Sequence, residues 1–215
     1  LESVSPIQAN NGFLEEKDDQ KSLARWCISS RIELLTARHI IAVEGQSDRM
    51  VVEKVAELTG HRLQRDGVEI LEAGGCKEMP HVVDIFGDNG FGMHVSILID
   101  EDAEEEMADA LGVMAKDLTS KSVFISRVDL EEEYVSAIGV DALWKALSKS
   151  SLLTSNMLKT CSIASDTHVP NETELAAFCR RKKNKIACAV VACGLLNSSS
   201  AAKVTSVVEV LQNAI

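Results

Sequence analysis

The stretch that decides the fold is IIAVEGQSD, residues 40–48, in which an apolar run ends in an acid and a glycine. The apolar residues predict a buried strand that Glu44 closes. Gly45 then lets the backbone turn tightly, and either Ser47 or Asp48 can cap the helix that follows. The segment therefore predicts a strand, a turn and a helix, with a carboxylate on each side of the turn.

The same pattern, a buried strand that ends in acids, occurs at two later places in the chain. VSILIDED covers residues 95–102, and a strand predicted over 122–126 is followed by VDLE, residues 128–131. The carboxyl ends of parallel strands share one edge of a sheet, where open α/β sheets bind ligands. Carboxylates held together repel one another unless a cation or protons intervene. The pattern predicts a divalent-metal site, and the predicted ligands are Glu44, Asp48, Asp100, Asp102, Asp129 and Glu131.

Each acidic motif also has a purely structural explanation. Asp48 can cap a helix and complement its dipole, and the acids at 100–102 can form the solvated start of a helix. The run from Asp129 to Glu133 can be a solvated face, so the acid that points inward there is left open. The metal hypothesis rests on the three motifs occurring together.

Strands and helices alternate from residue 39 to residue 138, and one of these helices is predicted over 103–114. Only helices are predicted after that, among them 152–161 and, after a break at 197–200, 201–215. A further helix is predicted over 21–36. Alternation of this kind is typical of a parallel sheet with crossover helices. The predicted fold is therefore α/β, a Rossmann-like parallel sheet with an additional helical subdomain. The predicted divisions are a lead-in with an N-terminal helix (1–38), the α/β core (39–138), a helical subdomain (139–181) and a C-terminal helical region that packs on the core (182–215).

The composition of the chain disfavours several classes of protein. The net charge of −11 disfavours binding of nucleic acid by bulk electrostatics, and the low aromatic content of 4% disfavours a surface of stacked aromatics. The six cysteines contain no CxxC pair, which favours reduced thiols in a cytoplasmic protein. The longest apolar stretch, residues 186–196, is too short to cross a membrane. The chain begins with Leu and shows no leader, so we expect a piece of a longer protein.

One short segment is strongly basic. RRKKNK, residues 180–185, precedes an apolar helix in an otherwise acidic chain. A lysine there can act as a point charge for a scissile phosphate or a leaving oxygen. The alternative is a group of cations that satisfies carbonyls at the end of a helix.

These motifs together resemble a known family. Glu44-Gly45-x-x-Asp48, the glycines at 74 and 75, Asp100-x-Asp102 and Asp129-Leu130-Glu131 resemble a TOPRIM domain. VEGQSD at 43–48, with the late lysine-rich element, resembles the overcoming-lysogenization-defect (OLD) nucleases. The class 2 type, which lacks a neighbouring helicase partner, is the closer subclass. The resemblance covers residues 30–138 and, more loosely, 182–185.

The resemblance implies an endonuclease that cleaves DNA with two Mg²⁺ or Mn²⁺ ions. Lys185 would be the catalytic lysine, with Lys182 and Lys183 as rivals, and Glu44 and Asp100 would also be catalytic. An ABC-type ATPase domain would precede this region, and the full protein could form a homodimer. Two other functions stay open, namely a topoisomerase or primase TOPRIM module, for which Tyr134 is a poor nucleophile, and a non-catalytic module that binds metal or DNA.

Overall fold

Four parallel strands form the sheet at the centre of the protein, in the order β2–β1–β3–β4. The computed structural model describes residues 34, 36–161 and 169–215. The helix predicted over 21–36 falls almost entirely outside these ranges. The strands are β1 (His39–Val43), β2 (Val68–Glu72), β3 (His94–Asp100) and β4 (Val123–Ser126).

Helices and short 3-10 turns connect the strands, as the alternating pattern predicted. Within the sheet region the helices are α1 (Gln46–Leu58), α2 (Leu63–Asp66), α3 (Met79–Phe86) and α4 (Glu104–Leu111). The 3-10 turns are Cys76–Glu78, Glu101–Ala103 and Ala115–Lys121. After β4 come α5 (Leu130–Ile138), α6 (Val140–Lys149), α7 (Ser155–Leu158), α8 (Glu172–Cys179), α9 (Lys185–Leu195), α10 (Ser198–Ala201) and α11 (Thr205–Ala214).

Both faces of the sheet are covered, which makes the fold a Rossmann-like α/β arrangement. Successive residues of a strand point to opposite faces, so Ile41 and Val43 pack with α1, whereas Ile40 and Ala42 pack with α3 and α4. Burial on both sides explains why the central strands β1 and β3 are mostly apolar runs, whereas the edge strand β2 carries Glu69 and Glu72. The predicted fold class is confirmed.

The helices that follow β4 pack on the α1 side of the sheet. Leu147 of α6, Phe178 of α8 and Val210 of α11 belong to the same buried core as Ile41 and Leu98 of the sheet. The additional helical region thus shares one hydrophobic core with that sheet face. The three boundaries between the four predicted divisions stay a prediction.

Three predicted helices differ from the observed ones. The helix predicted over 103–114 ends at Leu111, because Gly112 adopts a left-handed conformation (φ +65°) and terminates it. The helix predicted over 152–161 is reduced to the single turn of α7. The final helix predicted over 201–215 is observed as α11, which begins only at Thr205, and the predicted break at 197–200 contains most of the single turn of α10. No helix in the described ranges is both long enough and apolar enough to cross a membrane.

Candidate active site

The acids predicted as ligands converge at the carboxyl edge of the sheet, where β1 and β3 end side by side. Asp100 is the last residue of β3, and Glu44 follows β1 directly. The two strands pair in parallel, with Ala42 opposite Ile97. We call the six predicted ligands at this edge the acidic edge: Glu44, Asp48, Asp100, Asp102, Asp129 and Glu131.

Asp48 is held rigidly in the first turn of α1. Its Oδ2 accepts a hydrogen bond from the Gly45 amide at 2.9 Å, and its Oδ1 accepts one from the Ser47 hydroxyl at 3.2 Å. The residue is only 6% exposed. Gly45, rather than Ser47 or Asp48, is therefore the N-cap of α1. Asp48 is the third residue of the helix, where it completes a capping box with the Gly45 amide and directs Oδ1 toward Lys185.

Lys185 inserts its ammonium among these acids. Its Nζ lies 3.3 Å from Asp48 Oδ1 and 3.7 Å from Glu131 Oε1. Burial acts to lower the pKa of Lys185, but attraction by Asp48, Glu131 and Asp100 outweighs burial, so the pKa is raised. Lys185 is therefore a permanent positive charge within the site, and it joins α9 to α1 and α5.

Several carboxylates of the acidic edge resist ionisation. Burial, followed by repulsion from Glu44, Glu131 and Asp48, raises the pKa of Asp100 to about 8 although Lys185 opposes this shift. Burial is also the main reason that the pKa of Glu131 rises to about 7. The pKa of Glu44 is raised by burial and by Asp48. The single positive charge of Lys185 does not neutralise the negative charges of these carboxylates. The acidic edge therefore requires either bound protons or a further cation.

Asp129 differs from Asp48 and Glu131 because its ion-pair partner is Arg180 rather than Lys185. Its Oδ1 accepts a hydrogen bond from the Glu132 amide at 2.8 Å and so caps α5, while Oδ2 forms an ion pair with Arg180. Arg180 also approaches Glu132, at 3.8 Å. The structure thus brings Glu131, rather than Asp129, beside Lys185.

The carboxylate oxygens of the acidic edge are of the type that hard divalent cations prefer. Their present spacing, however, is not that of a complete coordination site. Glu131 Oε2 is buried and has no hydrogen-bond partner among the described residues. Residues 34, 36–161 and 169–215 contain no group of three or more His, Cys, Asp or Glu side chains spaced to hold a metal ion. The Lys185 ammonium lies between Asp48 and Glu131 and contacts both carboxylates. The oxygen ligands and the orphaned carboxylate oxygen fit Mg²⁺ or Mn²⁺.

The acidic edge opens to solvent through a shallow cavity of about 480 Å³. Asp102 is exposed at its rim, and Val128 adopts a left-handed conformation (φ +65°) there, which is uncommon for a β-branched residue. The cavity is lined by Asp100, Glu101, Asp102, Val128, Asp129, Glu131, Arg180 and Lys185.

The structure separates Lys185 from the two rival lysines. Lys182 and Lys183 lie exposed in the turn between α8 and α9, and neither forms an ion pair with any described residue. Neither lines the cavity of the acidic edge. Their exposure makes them available to a ligand outside the site.

Tyr134, the only tyrosine in the sequence, is 1% exposed. Its hydroxyl is buried and has no hydrogen-bond partner among the described residues. A nucleophile for strand passage must reach a phosphodiester bond, so this placement speaks against Tyr134 in that role.

Sequence reasoning missed the pairing of Arg180 with Asp129. It treated Arg180 as one member of a basic run, whereas the structure joins it to the start of α5, 51 positions earlier. No local signal in the sequence indicates this partner, because the contact forms only when α8 packs against α5.

Comparison with known proteins identifies the family that the first part of the sheet resembles. Residues 35–102 match the family described as "Overcoming lysogenization defect protein-like, TOPRIM domain". The match includes Glu44, Asp48, Asp100 and Asp102, and it ends before Glu131 and Lys185. TOPRIM domains generally bind divalent metal ions. No protein of curated function matches the chain.

Solved structures extend the similarity of fold to most of the chain. The C-terminal region of the Xanthomonas campestris pv. campestris OLD protein is 21% identical, with a TM-score of 0.62, over 85% of this chain and 95% of that one. The C-terminal region of the Burkholderia pseudomallei OLD protein is 20% identical, also with a TM-score of 0.62, over 83% of this chain and 96% of that one. The predicted resemblance to the TOPRIM region of OLD proteins is thereby confirmed, while the class 2 assignment stays a prediction.

Proposed function

We propose that this chain, which carries an OLD-like TOPRIM domain, is a nuclease region that hydrolyses DNA phosphodiester bonds with two divalent cations, Mg²⁺ or Mn²⁺. The observation that carries the proposal is the position of Lys185, whose ammonium lies among acids that the sheet, α1 and α5 bring together. A single ammonium within an excess of buried carboxylates suits a site that takes up further positive charge.

The residues that would hold the cations are Glu44, Asp48, Asp100, Asp102 and Glu131. Divalent cations bound to such oxygens stabilise charge on a phosphoryl group and make a bound water more acidic. The raised pKa values of Asp100, at about 8, and Glu131, at about 7, support this assignment. A cation beside them would favour the ionised form of both groups.

Lys185 would supply a fixed positive charge to the reacting phosphate. Its side chain is 24% exposed and borders the open cavity, so a phosphate oxygen can reach the ammonium from solvent. Its hydrogen bonds to a phosphate would strengthen as negative charge develops in the transition state. Asp48 and Glu131 would orient it, because their oxygens lie 3.3 and 3.7 Å from Nζ.

DNA would approach from the side of the basic turn. The chain carries a net charge of −11, so the phosphate backbone requires a local attraction at the acidic edge. Lys182 and Lys183 precede Lys185 by three and two positions, respectively, and are exposed. They would hold the backbone while Lys185 faces the phosphate to be cleaved.

Two assignments concern the longer protein. Both solved relatives are C-terminal regions of OLD proteins, which supports an N-terminal ATPase domain as a partner of this region. A homodimer of the full protein is part of the same proposal.

Incubation of the purified chain with supercoiled plasmid and Mn²⁺ tests the function. We expect nicked or linear DNA, and we expect Glu44→Ala and Asp100→Ala to abolish the products. Asp109→Ala alters an exposed acid of α4 and serves as the matched control. Relaxed closed circles would instead indicate a topoisomerase, and binding without any product would indicate a non-catalytic module.

A further inference from the structure

Two buried oxygens on α5 have no hydrogen-bond partner among the described residues, namely Glu131 Oε2 and Tyr134 Oη. Both residues are 1% exposed. An unsatisfied polar group in a protein interior costs about 1–3 kcal/mol, and such groups in folded proteins are few. The two atoms are complementary, because a phenol hydroxyl donates a hydrogen bond and a carboxylate oxygen accepts one.

The helix places these two groups on the same side. Residues three positions apart on an α-helix are neighbours on its surface, and Tyr134 follows Glu131 by three positions within α5. The other oxygen of Glu131, Oε1, lies 3.7 Å from the Lys185 ammonium. Oε2 is therefore the oxygen that is left for a partner within the core.

Packing alone does not require the hydroxyl of Tyr134. The ring fills the core shared by α5, α8 and α9, and phenylalanine would fill nearly the same volume without an unsatisfied oxygen. The Cys179 thiol lies beside the hydroxyl, but a thiol is a weak donor and a weak acceptor. The hydroxyl thus needs a better partner than sulfur.

We propose that Tyr134 is a positioning residue for Glu131. Its hydroxyl donates a hydrogen bond to one water, which in turn donates to Glu131 Oε2, and this bridge holds Oε1 toward Lys185 and toward the divalent cations. The inference rests on the proposed function, because it assigns Tyr134 a role in the same site. Groups that orient a metal-binding carboxylate typically change metal affinity about 10–100-fold when they are removed.

The test combines Tyr134→Phe with two measurements on the full chain. Isothermal titration calorimetry measures Mn²⁺ affinity, and NMR of ¹³C-labelled glutamate measures the carboxyl resonance of Glu131 in the metal-free protein, assigned with Glu131→Gln. We expect Mn²⁺ affinity to fall about 10-fold and the Glu131 resonance to shift. The melting temperature should fall only modestly, because the variant keeps the buried ring and removes only the donor for Glu131 Oε2.

A control variant separates positioning from a general loss of packing. Phe86→Leu alters a buried aromatic residue on the opposite face of the sheet, so it should lower the melting temperature and leave the Glu131 resonance unchanged. If Tyr134→Phe leaves both the Glu131 resonance and Mn²⁺ affinity unchanged, the positioning role is wrong, even if the wild type cleaves DNA. If the resonance shifts but the wild type neither binds Mn²⁺ nor cleaves DNA, the contact stands and the proposed function is wrong.

Discussion

The Lys185 ammonium lies 3.3 Å from Asp48 Oδ1, so the first residue of α9 is joined to the first turn of α1. Asp48 is nearly buried, and its other oxygen is bound to the Gly45 amide. The lysine therefore occupies a fixed place among the acids. This relationship has two opposing consequences, since the same charge that favours a phosphate also repels a divalent cation.

Lys185→Ala should separate metal binding from cleavage. Removal of the ammonium leaves Asp48 and Glu131 without a neighbouring positive charge, so we expect Mn²⁺ to bind about 3–10-fold more tightly. We expect the nicking rate to fall about 10²–10³-fold, because a positioned charge for the transition state is lost. Calorimetry and a plasmid-nicking time course measure the two effects.

Lys183→Ala is the matched control for this variant, because it removes an exposed lysine from the adjoining turn. It should leave Mn²⁺ affinity unchanged. A Lys185→Ala protein that cuts at the wild-type rate would refute the assignment of the catalytic lysine. Loss of both binding and cleavage would indicate that Lys185 mainly supports the fold.

The exposed lysines of the basic turn should affect DNA binding rather than chemistry. For the double variant Lys182→Ala/Lys183→Ala we expect weaker DNA binding. The plot of log binding constant against log salt concentration should be less steep, by the slope that corresponds to about two phosphate contacts. The single-turnover rate at saturating DNA should stay near the wild-type value. Fluorescence anisotropy between 50 and 200 mM salt, about the range over which such contacts are lost, measures this effect.

Lys121→Ala provides the comparison, since Lys121 lies at the opposite, amino edge of the sheet, just before β4. Equal loss of DNA affinity in Lys121→Ala and in the double variant would mean that DNA does not approach along the basic turn.

His39 should make the fold sensitive to acid. Its Nε2 lies 2.8 Å from the Ser96 hydroxyl, which donates a hydrogen bond to Asn213 of α11 at 2.7 Å. Burial and, secondarily, His94 lower the pKa of His39 to about 4. An unfolded chain takes up this proton near pH 6.5, so the contribution of His39 is complete above that pH and is lost as the pH falls toward 4.

The His39 ring is partly exposed, which reduces the influence of its pKa shift on stability. We expect protonation of His39 to lower the free energy of unfolding by about 1–2 kcal/mol between pH 7 and pH 4.5. Urea denaturation of wild type and His39→Gln at both pH values measures it. His81→Gln, at an exposed histidine of α3, should retain the wild-type dependence. If His39→Gln shows the full wild-type loss of stability, other groups cause the acid sensitivity.

The strands and the acidic edge could be predicted from local sequence. IIAV and VSILI are apolar runs of strand length, and an acid follows each of them. Burial on both faces of a parallel sheet produces such runs. Parallel pairing then brings their ends together regardless of the details of the helices. The carboxylates of Glu44 and Asp100 were therefore predictable as neighbours.

Local sequence did not predict which of the acids at 129 and 131, or which of the lysines at 182, 183 and 185, would face the centre of the site. Asp129 and Glu131 are two positions apart, yet one pairs with Arg180 and the other with Lys185. Arg180 and Lys185 are both far from these acids in the sequence. They come close to them only because α8 and α9 pack against α5. The burial of Tyr134 depends on the same packing. A local signal that we did not use was Gly112, which ends α4 three residues before the predicted boundary.

The most direct test of the central claim is the binding of Mn²⁺ to wild type and to Asp100→Asn, with Asp109→Asn as the control. Asparagine has nearly the shape of a protonated aspartic acid, so the metal-free variant should keep its melting temperature. Equilibrium dialysis should show Mn²⁺ bound to wild type and to Asp109→Asn. At 100 times the dissociation constant, the ion should stabilise both by about 2.7 kcal/mol. Asp100→Asn should lose this stabilisation. Equal binding by Asp100→Asn and wild type, or no binding by either, would contradict the claim that the acidic edge is a divalent-metal site.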